Sequence, residues 1–332
     1  MKKLLIWLPG MLSMLAACTE AVEIPARPPE KQSPVRVELH LTTEQQAATR
    51  AMDENCIRDV NLYLYGDTEY HFYFPSVSSP LVFNVLPGNY RSYAIANAGQ
   101  DLGDKNAFEI QFYETAVDGM ESSDAIPMTD RGTLAGGGGG GGTLAVDGAG
   151  RCTPSSLRVT RSAAKIAYTI EVADAVAPSL RLRSVQFCNL PLTIRPFDSG
   201  SISSTVEANY YDGEAMPVGN ERRTAGTAYL FENLQGSVDT ITDQKDKCPE
   251  NAPACATYLR ILAERSADKA LVEYIVYPGE NNTSDFNVRR NTWHNLELVI
   301  RGENEIDNRV LVYDGLYYGT ANCHICTGDQ GT

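Results

Sequence analysis

Residues 35–65 read VRVELHLTTEQQAATRAMDENCIRDVNLYLY, and they contain the clearest structural pattern in the chain. Apolar and polar side chains alternate through the first part, with the apolar positions at Val35, Val37, Leu39 and Leu41. A period of two is typical of a strand with one buried face. A polar loop follows, and the alternation returns at residues 60–64. The stretch therefore predicts two half-buried strands joined by an exposed connection.

Short alternating segments recur along the rest of the chain, separated by turns rich in Gly, Pro and Asn. No long segment shows the 3.6-residue period of an amphipathic helix. Many short strands with such turns predict an all-β fold of two tandem antiparallel β-sandwich domains. We place the N-terminal domain at residues 35–150 and the C-terminal domain at residues 151–332. The seven glycines at residues 136–142 are expected to form a hinge at the end of the first domain.

The first 34 residues predict export. Residues 1–17 combine two lysines with a short apolar core, which is the pattern of a signal peptide and is too short for a permanent membrane span. They end in Leu-Ala-Ala directly before Cys18, which resembles a lipobox, in which the cysteine is acylated and becomes the new N-terminus. Residues 18–34 are rich in Pro and charge and predict a flexible tether. We therefore expect a lipoprotein anchored through fatty acids such as palmitate on Cys18.

The chain is acidic, with a formal net charge of −14 at pH 7. Loss of residues 1–17 removes Lys2 and Lys3 and no acidic residue, which takes the net charge to about −16. Such a chain lacks the basic surface by which proteins bind nucleic acids. We therefore expect no nucleic-acid partner.

Catalytic motifs are absent from the sequence. It contains neither HExxH nor GxSxG, and the glycine run lacks the Gly-Lys-Ser/Thr of a phosphate-binding loop. The four histidines share no spacing, and the tail motif Cys323-His324-Ile325-Cys326 lacks the further ligands that a zinc site needs. We therefore predict a protein that is not an enzyme and that holds no metal and no cofactor.

Seven cysteines follow Cys18. In an exported protein they favour disulfide bonds, and the odd number leaves at least one thiol free. Cys248 and Cys255 bracket a short loop that contains prolines, and they are the candidate disulfide.

Several segments, together with the lipobox, carry a resemblance to a known family. They are the first strand with Arg50-Ala51 in the loop after it, LVFNVLPGNYRSYAIANAG at residues 81–99, the segment Arg161-Ser162-Ala163-Ala164-Lys165, and GENNTSDFNVRRNTWHNLELVI at residues 279–300. In this order they resemble the fimbrillin superfamily of Bacteroidales fimbrial subunits and surface-adhesion lipoproteins.

The resemblance implies transthyretin-like β-sandwich domains on a lipoprotein of the cell outer membrane. In the family, the first strand fills a groove of the N-terminal domain until a surface protease cuts in the loop after it. Here Arg50 and Ala51 match the cleavage position, and residues 35–41 match the strand to be expelled. A strand from another fimbrial subunit would then fill the groove by β-strand addition. The implied function is a structural or adhesive subunit of a fimbrium (pilus), with a host or bacterial surface receptor as a further partner in cell adhesion.

Two alternatives stay open. Anchor members of the family escape cleavage and keep their lipid, so the chain is alternatively an uncleaved anchor or accessory protein. The other alternative is a surface glycan-binding lipoprotein. Such proteins usually bind sugars on exposed aromatic side chains, and outside the signal peptide Trp293 is the one tryptophan of this sequence. The glycine run, the many cysteines and the tail motif depart from the family pattern and leave open whether the subunit belongs to a main stalk.

Overall fold

A computed structural model of the chain describes residues 32–43, 56–104, 106–107, 112–113, 126–130, 142–197, 203–303 and 305–314. For residues 112–113, 305 and 307–314 it describes the backbone only. Within these ranges the regular structure consists of strands and short 3₁₀ turns, such as Glu207–Asn209 and Gln244–Asp246, and includes no α-helix. The all-β fold predicted from the sequence is therefore confirmed.

The strands are, in chain order, β1 (Val35–Thr43), β2 (Val60–Tyr65), β3 (Tyr70–Phe74), β4 (Leu81–Val85), β5 (Gly88–Ala96), β6 (Phe112–Tyr113), β7 (Met128–Asp130), β8 (Gly142–Val146), β9 (Cys152–Thr153), β10 (Ser156–Arg161), β11 (Ala163–Val172), β12 (Leu180–Cys188), β13 (Leu190–Pro191), β14 (Thr193–Ile194), β15 (Tyr210–Tyr211), β16 (Met216–Pro217), β17 (Arg223–Phe231), β18 (Tyr258–Arg265), β19 (Leu271–Val276), β20 (Thr292–Gly302) and β21 (Glu305–Asp314).

The first half of the chain forms a nine-stranded sheet. Its main path has the order β3-β2-β5-β7-β10-β1-β4, and β8 and β9 branch from β5. The sheet curls back on itself, because the rings of Phe72 on β3 and Phe83 on β4, at opposite ends of the path, lie 5.0 Å apart between centroids. Buried aliphatic side chains from β1, β2, β4, β5 and β10 form the core that the sheet encloses.

The second half contains two four-stranded sheets, with the orders β17-β11-β20-β21 and β16-β12-β18-β19. Strand β20 illustrates how the sequence builds the layer, because Leu296, Leu298 and Ile300 are buried while Glu297 between them is exposed. These side chains share one core cluster with Ile261 of the other sheet. Two sheets that bury one apolar face each against the other form a β-sandwich.

Two strand pairs are parallel, which differs from the antiparallel sheets expected from the sequence. β1 runs parallel to β10, and β11 runs parallel to β20. In the first pair His40 lies beside Ser156, so the two strands are far apart in the chain. The alternation within a strand shows which face is buried and carries no information on which distant strand lies beside it or in which direction.

A single residue, Ser162, separates β10 of the first sheet from β11 of the sandwich. The boundary expected at residues 150–151 therefore lies within the first sheet, since β9 and β10 belong to that sheet and the second set of sheets begins with β11. Both halves belong to one compact unit that starts at Pro34. Their division into two independently folding domains stays a prediction.

A buried arginine lies at the contact between the halves. Arg290 donates from Nε to the carboxylate of Glu232 at 3.0 Å and from Nη1 to the carbonyl oxygen of Pro196 at 2.6 Å. The hydroxyl of Thr129 on β7 donates to the same carbonyl oxygen at 3.4 Å. Buried side chains from both halves form one cluster here: Tyr63, Tyr93, Ile95, Ala107, Ile126, Ala163, Ile194, Phe197, Tyr229 and Phe231.

Candidate functional site

Strand β1 and the groove that holds it form the candidate site. Val37 and Leu39 are fully buried and Leu41 is 1 % exposed, so all three belong to the core of the first half. Val35 is partly exposed and packs against the same core. The polar residues between them are exposed. The alternation of apolar and polar residues in the sequence thus matches the alternation of buried and exposed side chains in β1. The exchange of this strand stays a prediction.

The strand β1 pairs with two different strands along its length. Val35–Leu39 pairs antiparallel with β4, in a register that places Leu39 beside Leu81. His40–Thr43 pairs parallel with β10. In the described part of the chain β4 has no other strand partner. The backbone pairing of β4 therefore depends on β1 alone within that part.

The burial of β1 makes a large contribution to the first half. A buried aliphatic side chain of this size contributes about 1.5–3 kcal/mol, so the three fully buried ones together contribute roughly 5–9 kcal/mol. This sum is comparable to the net stability of many domains. Loss of β1 would also leave β4 without its strand partner and the β1-facing edge of β10 unpaired, while β10 keeps its pairing with β7. Exposed backbone donors and acceptors of this kind are unfavourable.

Aromatic side chains close the opening between β3 and β4, a feature that the sequence analysis missed. Tyr70, Phe72 and Phe74 of β3 are all partly exposed and pack against the core of the first half. The ring of Phe72 contacts Phe83 of β4, and the Tyr70 hydroxyl accepts a hydrogen bond from the amide of Leu86 at 3.2 Å. The available signal was the alternation of aromatic residues in EYHFYF. Side chains thus connect β3 and β4, which share no backbone ladder within the described residues.

The late segment that carried part of the resemblance holds a buried histidine. His294 is fully buried, with Nδ1 2.9 Å from the carbonyl oxygen of Gly279 and Nε2 3.0 Å from the hydroxyl of Thr292. Burial lowers the pKa of His294 to about 4, so the ring is neutral near pH 7. Within the described residues no group of three or more His, Cys, Asp or Glu side chains is arranged to hold a metal ion. Through its contact with the carbonyl oxygen of Gly279, His294 connects that loop to β20.

The cysteines differ from the sequence prediction. Cys248 and Cys255 are both free thiols, so the predicted disulfide is not formed in the structure. The reason is local, because the sulfur of Cys248 interacts with Glu250 and Asn251 in the turn that follows it, while Cys255 is buried. Cys56, in contrast, is disulfide-bonded.

Several residues of the sequence prediction lie outside the described part of the chain: Cys18, Arg50, Ala51, Cys323, Cys326 and the glycines at residues 136–141. Acylation at Cys18 and cleavage after Arg50 stay predictions. Within the ranges that the structure covers, we find no helix with the length and apolar character to cross a membrane.

Comparison with known proteins gives one match to a family model. Residues 228–298 match a domain of unknown function, DUF4906, and this segment includes β18, β19 and Arg290. No curated protein matches the chain in sequence.

Solved structures give a fuller comparison. A protein from Parabacteroides distasonis described as a cell adhesion protein has a TM-score of 0.56 and 12% identity, covering 86% of this chain and 98% of its own. A second one, from Bacteroides eggerthii, has a TM-score of 0.53 and 12% identity, with 85% and 96% covered. The tip fimbrial protein Mfa3 from Porphyromonas gingivalis, with a C-terminal truncation, has a TM-score of 0.51 and 14% identity, with 85% and 100% covered. The resemblance predicted from the sequence is thus confirmed at the level of the fold. The chain has the fold of these Bacteroidales cell adhesion and fimbrial tip proteins.

Proposed function

We propose that the chain is a non-enzymatic structural or adhesive subunit of a fimbrium, exported as a lipoprotein and assembled by strand exchange after cleavage at Arg50. The observation that carries the proposal is the position of β1, whose apolar residues are buried and which pairs with both β4 and β10. The fold shared with cell adhesion proteins and with a fimbrial tip protein supports a place at the cell surface.

Cleavage after Arg50 would change how β1 is held. In the uncut chain β1 is covalently joined to β2, so β1 rebinds its groove at the high effective concentration of a tethered segment. After the cut, only noncovalent contacts hold β1, and a strand from another subunit can compete for the same groove. The fragment that leaves would carry Cys18 and its lipid, so the cut would also free the subunit from its own anchor.

The test uses the full chain and an arginine-specific protease. Wild type is expected to release the fragment that ends at Arg50 and to form multimers that resist sodium dodecyl sulfate, or to bind a partner subunit. Arg50→Ala should stay folded and monomeric under the same treatment. Arg222→Ala, which removes an exposed arginine of the second half, is the control and should assemble like wild type.

Assembly of Arg50→Ala at the wild-type rate would overturn the strand-exchange mechanism. A wild-type chain that is never cut and stays lipid-bound would favour the alternative of an uncleaved anchor. The lipid itself has a separate test, because Cys18→Ala should abolish metabolic labelling with palmitate and release the protein from the membrane fraction. Unchanged labelling would contradict the lipoprotein prediction.

A further inference from the structure

The turn between β8 and β9 lies against the first strand. It is fixed by its own hydrogen bonds, since the carboxylate of Asp147 accepts from the amides of Ala149 and Arg151, both at 2.9 Å, and from Nε of Arg151 at 2.7 Å. Two backbone bonds close it, from the amide of Asp147 to the carbonyl oxygen of Arg151 and from the amide of Gly150 to that of Asp147, both 3.0 Å long. The turn Asp147–Arg151 is therefore a defined structure of its own.

Gly150 brings this turn into direct backbone contact with β1. Its φ is +78°, which L side chains rarely adopt. A Cβ at this position would overlap the carbonyl oxygen of Arg36 on β1. Gly148, in the same turn, has open space around the position of its Cβ. Only one of the two glycines is thus required for the turn to reach β1.

The chain after the turn continues to follow β1. The thiol of Cys152 contacts the carbonyl oxygen of Glu38 at 3.2 Å, and the amide of His40 donates to the carbonyl oxygen of Ser155 at 2.9 Å. With the contact at Arg36, the three contacts fall on alternate residues of β1, as expected for groups that point to one edge of a strand. The parallel pairing with β10 then begins at His40. The first half of β1 thus lies between β4 and the turn with its following segment.

We infer that the turn Asp147–Arg151 is a latch that holds the first half of β1 in its groove and sets how readily that strand leaves. The inference rests on the proposed function only for the purpose of strand release. The latch itself holds β1 in the intact, uncut chain whether or not strand exchange follows. Residues 35–39 have β4 as their ladder partner. On their other edge, the latch lies against Arg36 and the Cys152 thiol that follows it contacts Glu38. Displacement of the turn would loosen this second edge and leave the β4 ladder as the main support of these residues.

The experiment compares hydrogen exchange in the intact, uncut chain of three variants with wild type. Gly150→Ala introduces both the overlap with Arg36 and strain at positive φ. Gly148→Ala controls for a change in the same turn without the contact, and Gly103→Ala controls for strain at a φ of +67° in open space elsewhere. We expect amides of residues 35–39 and 81–85 to exchange about tenfold faster or more in Gly150→Ala, and at the wild-type rate in both controls.

Labelling of Cys152 with a thiol reagent gives a second measurement, because this partly buried thiol contacts β1. Its labelling should accelerate in Gly150→Ala and not in Gly148→Ala. If Gly150→Ala fails to fold, Asp147→Ala, which loosens the turn without adding an atom beside β1, should give the same pattern with a smaller change.

Equal exchange at residues 35–39 in Gly150→Ala and Gly148→Ala would overturn the latch. So would an acceleration in Gly150→Ala that is just as large in β18 of the second half, because that would mean general destabilisation. These outcomes are separate from the proposed function. If protease-cut chains of all variants retain β1, strand exchange is wrong while the exchange rates of the uncut chains still decide on the latch.

Discussion

The substitution Leu39→Ala is expected to destabilise the first half of the protein by about 3 kcal/mol. Leu39 is fully buried, and its neighbour across the β1–β4 pair, Leu81, is buried as well. Leucine-to-alanine changes in such cores cost about 2–5 kcal/mol, through lost burial and the cavity that remains. We expect a value in the lower part of that range because β4 has no second strand partner in the described part and can shift toward the cavity.

Urea unfolding followed by circular dichroism measures this effect. With a slope of about 2 kcal/mol per molar urea, 3 kcal/mol lowers the midpoint by about 1.5 M. The control is Glu38→Ala on the same strand, where the side chain is exposed and forms an ion pair with exposed Arg36, so the change should stay within about 0.5 kcal/mol. Equal midpoints for the two variants would refute the reasoning that β1 is an essential part of this core, and with it the basis for strand exchange.

Three further predictions concern the second half of the chain. Arg290→Met should lower the free energy of unfolding by about 3–5 kcal/mol because it removes the guanidinium that neutralises the buried carboxylate of Glu232. Arg222→Met, at an exposed ion pair, should change it by less than about 1 kcal/mol. Equal losses of stability for the two variants in thermal and urea unfolding would contradict this. Since burial lowers the pKa of His294 from its ordinary 6.5 to about 4, the unfolded chain binds the proton first as the pH falls. The urea concentration at the unfolding midpoint should therefore decrease as the pH falls from about 6.5 to about 4. In His294→Gln this dependence on pH should be weaker. Iodoacetamide at pH 8 should label Cys248 in the native protein well before Cys188, because Cys188 is buried and burial raises its pKa to about 11. Mass spectrometry of the labelled peptides measures the order, and labelling of Cys188 first would contradict the prediction.

The sequence was most informative where a pattern is local. The alternation at residues 35–41 predicted which side chains of β1 are buried, and the burial of residues 296–300 in β20 follows the alternation of their sequence in the same way. Both follow from the period of two in a strand, which is a property of the strand itself. The all-β class follows from the same kind of local signal.

Pairing between distant segments was beyond these patterns. The contact of β1 with β10 joins residues more than a hundred positions apart, and so does the contact of Gly150 with Arg36. The glycine run suggested a boundary near residue 150, yet β10 pairs with β1 and belongs to the first sheet. Arg290 likewise finds its partners, Glu232 and Pro196, in remote parts of the chain. Such contacts are set by tertiary packing, which a single sequence does not display.

The one-residue connection at Ser162 has a mechanical consequence. In the proposed fibre, tension that enters through a strand seated beside β10 would pass along β10, across Ser162 and into β11, with no loop on the way to lengthen. β11 pairs with β17 from Ala163 to Glu171 and with β20 from Lys165 to Val172. A pull along its axis would shear both ladders together instead of peeling hydrogen bonds apart one at a time. A subunit connected in this way would transmit force as one stiff body, and its two halves would share the strain.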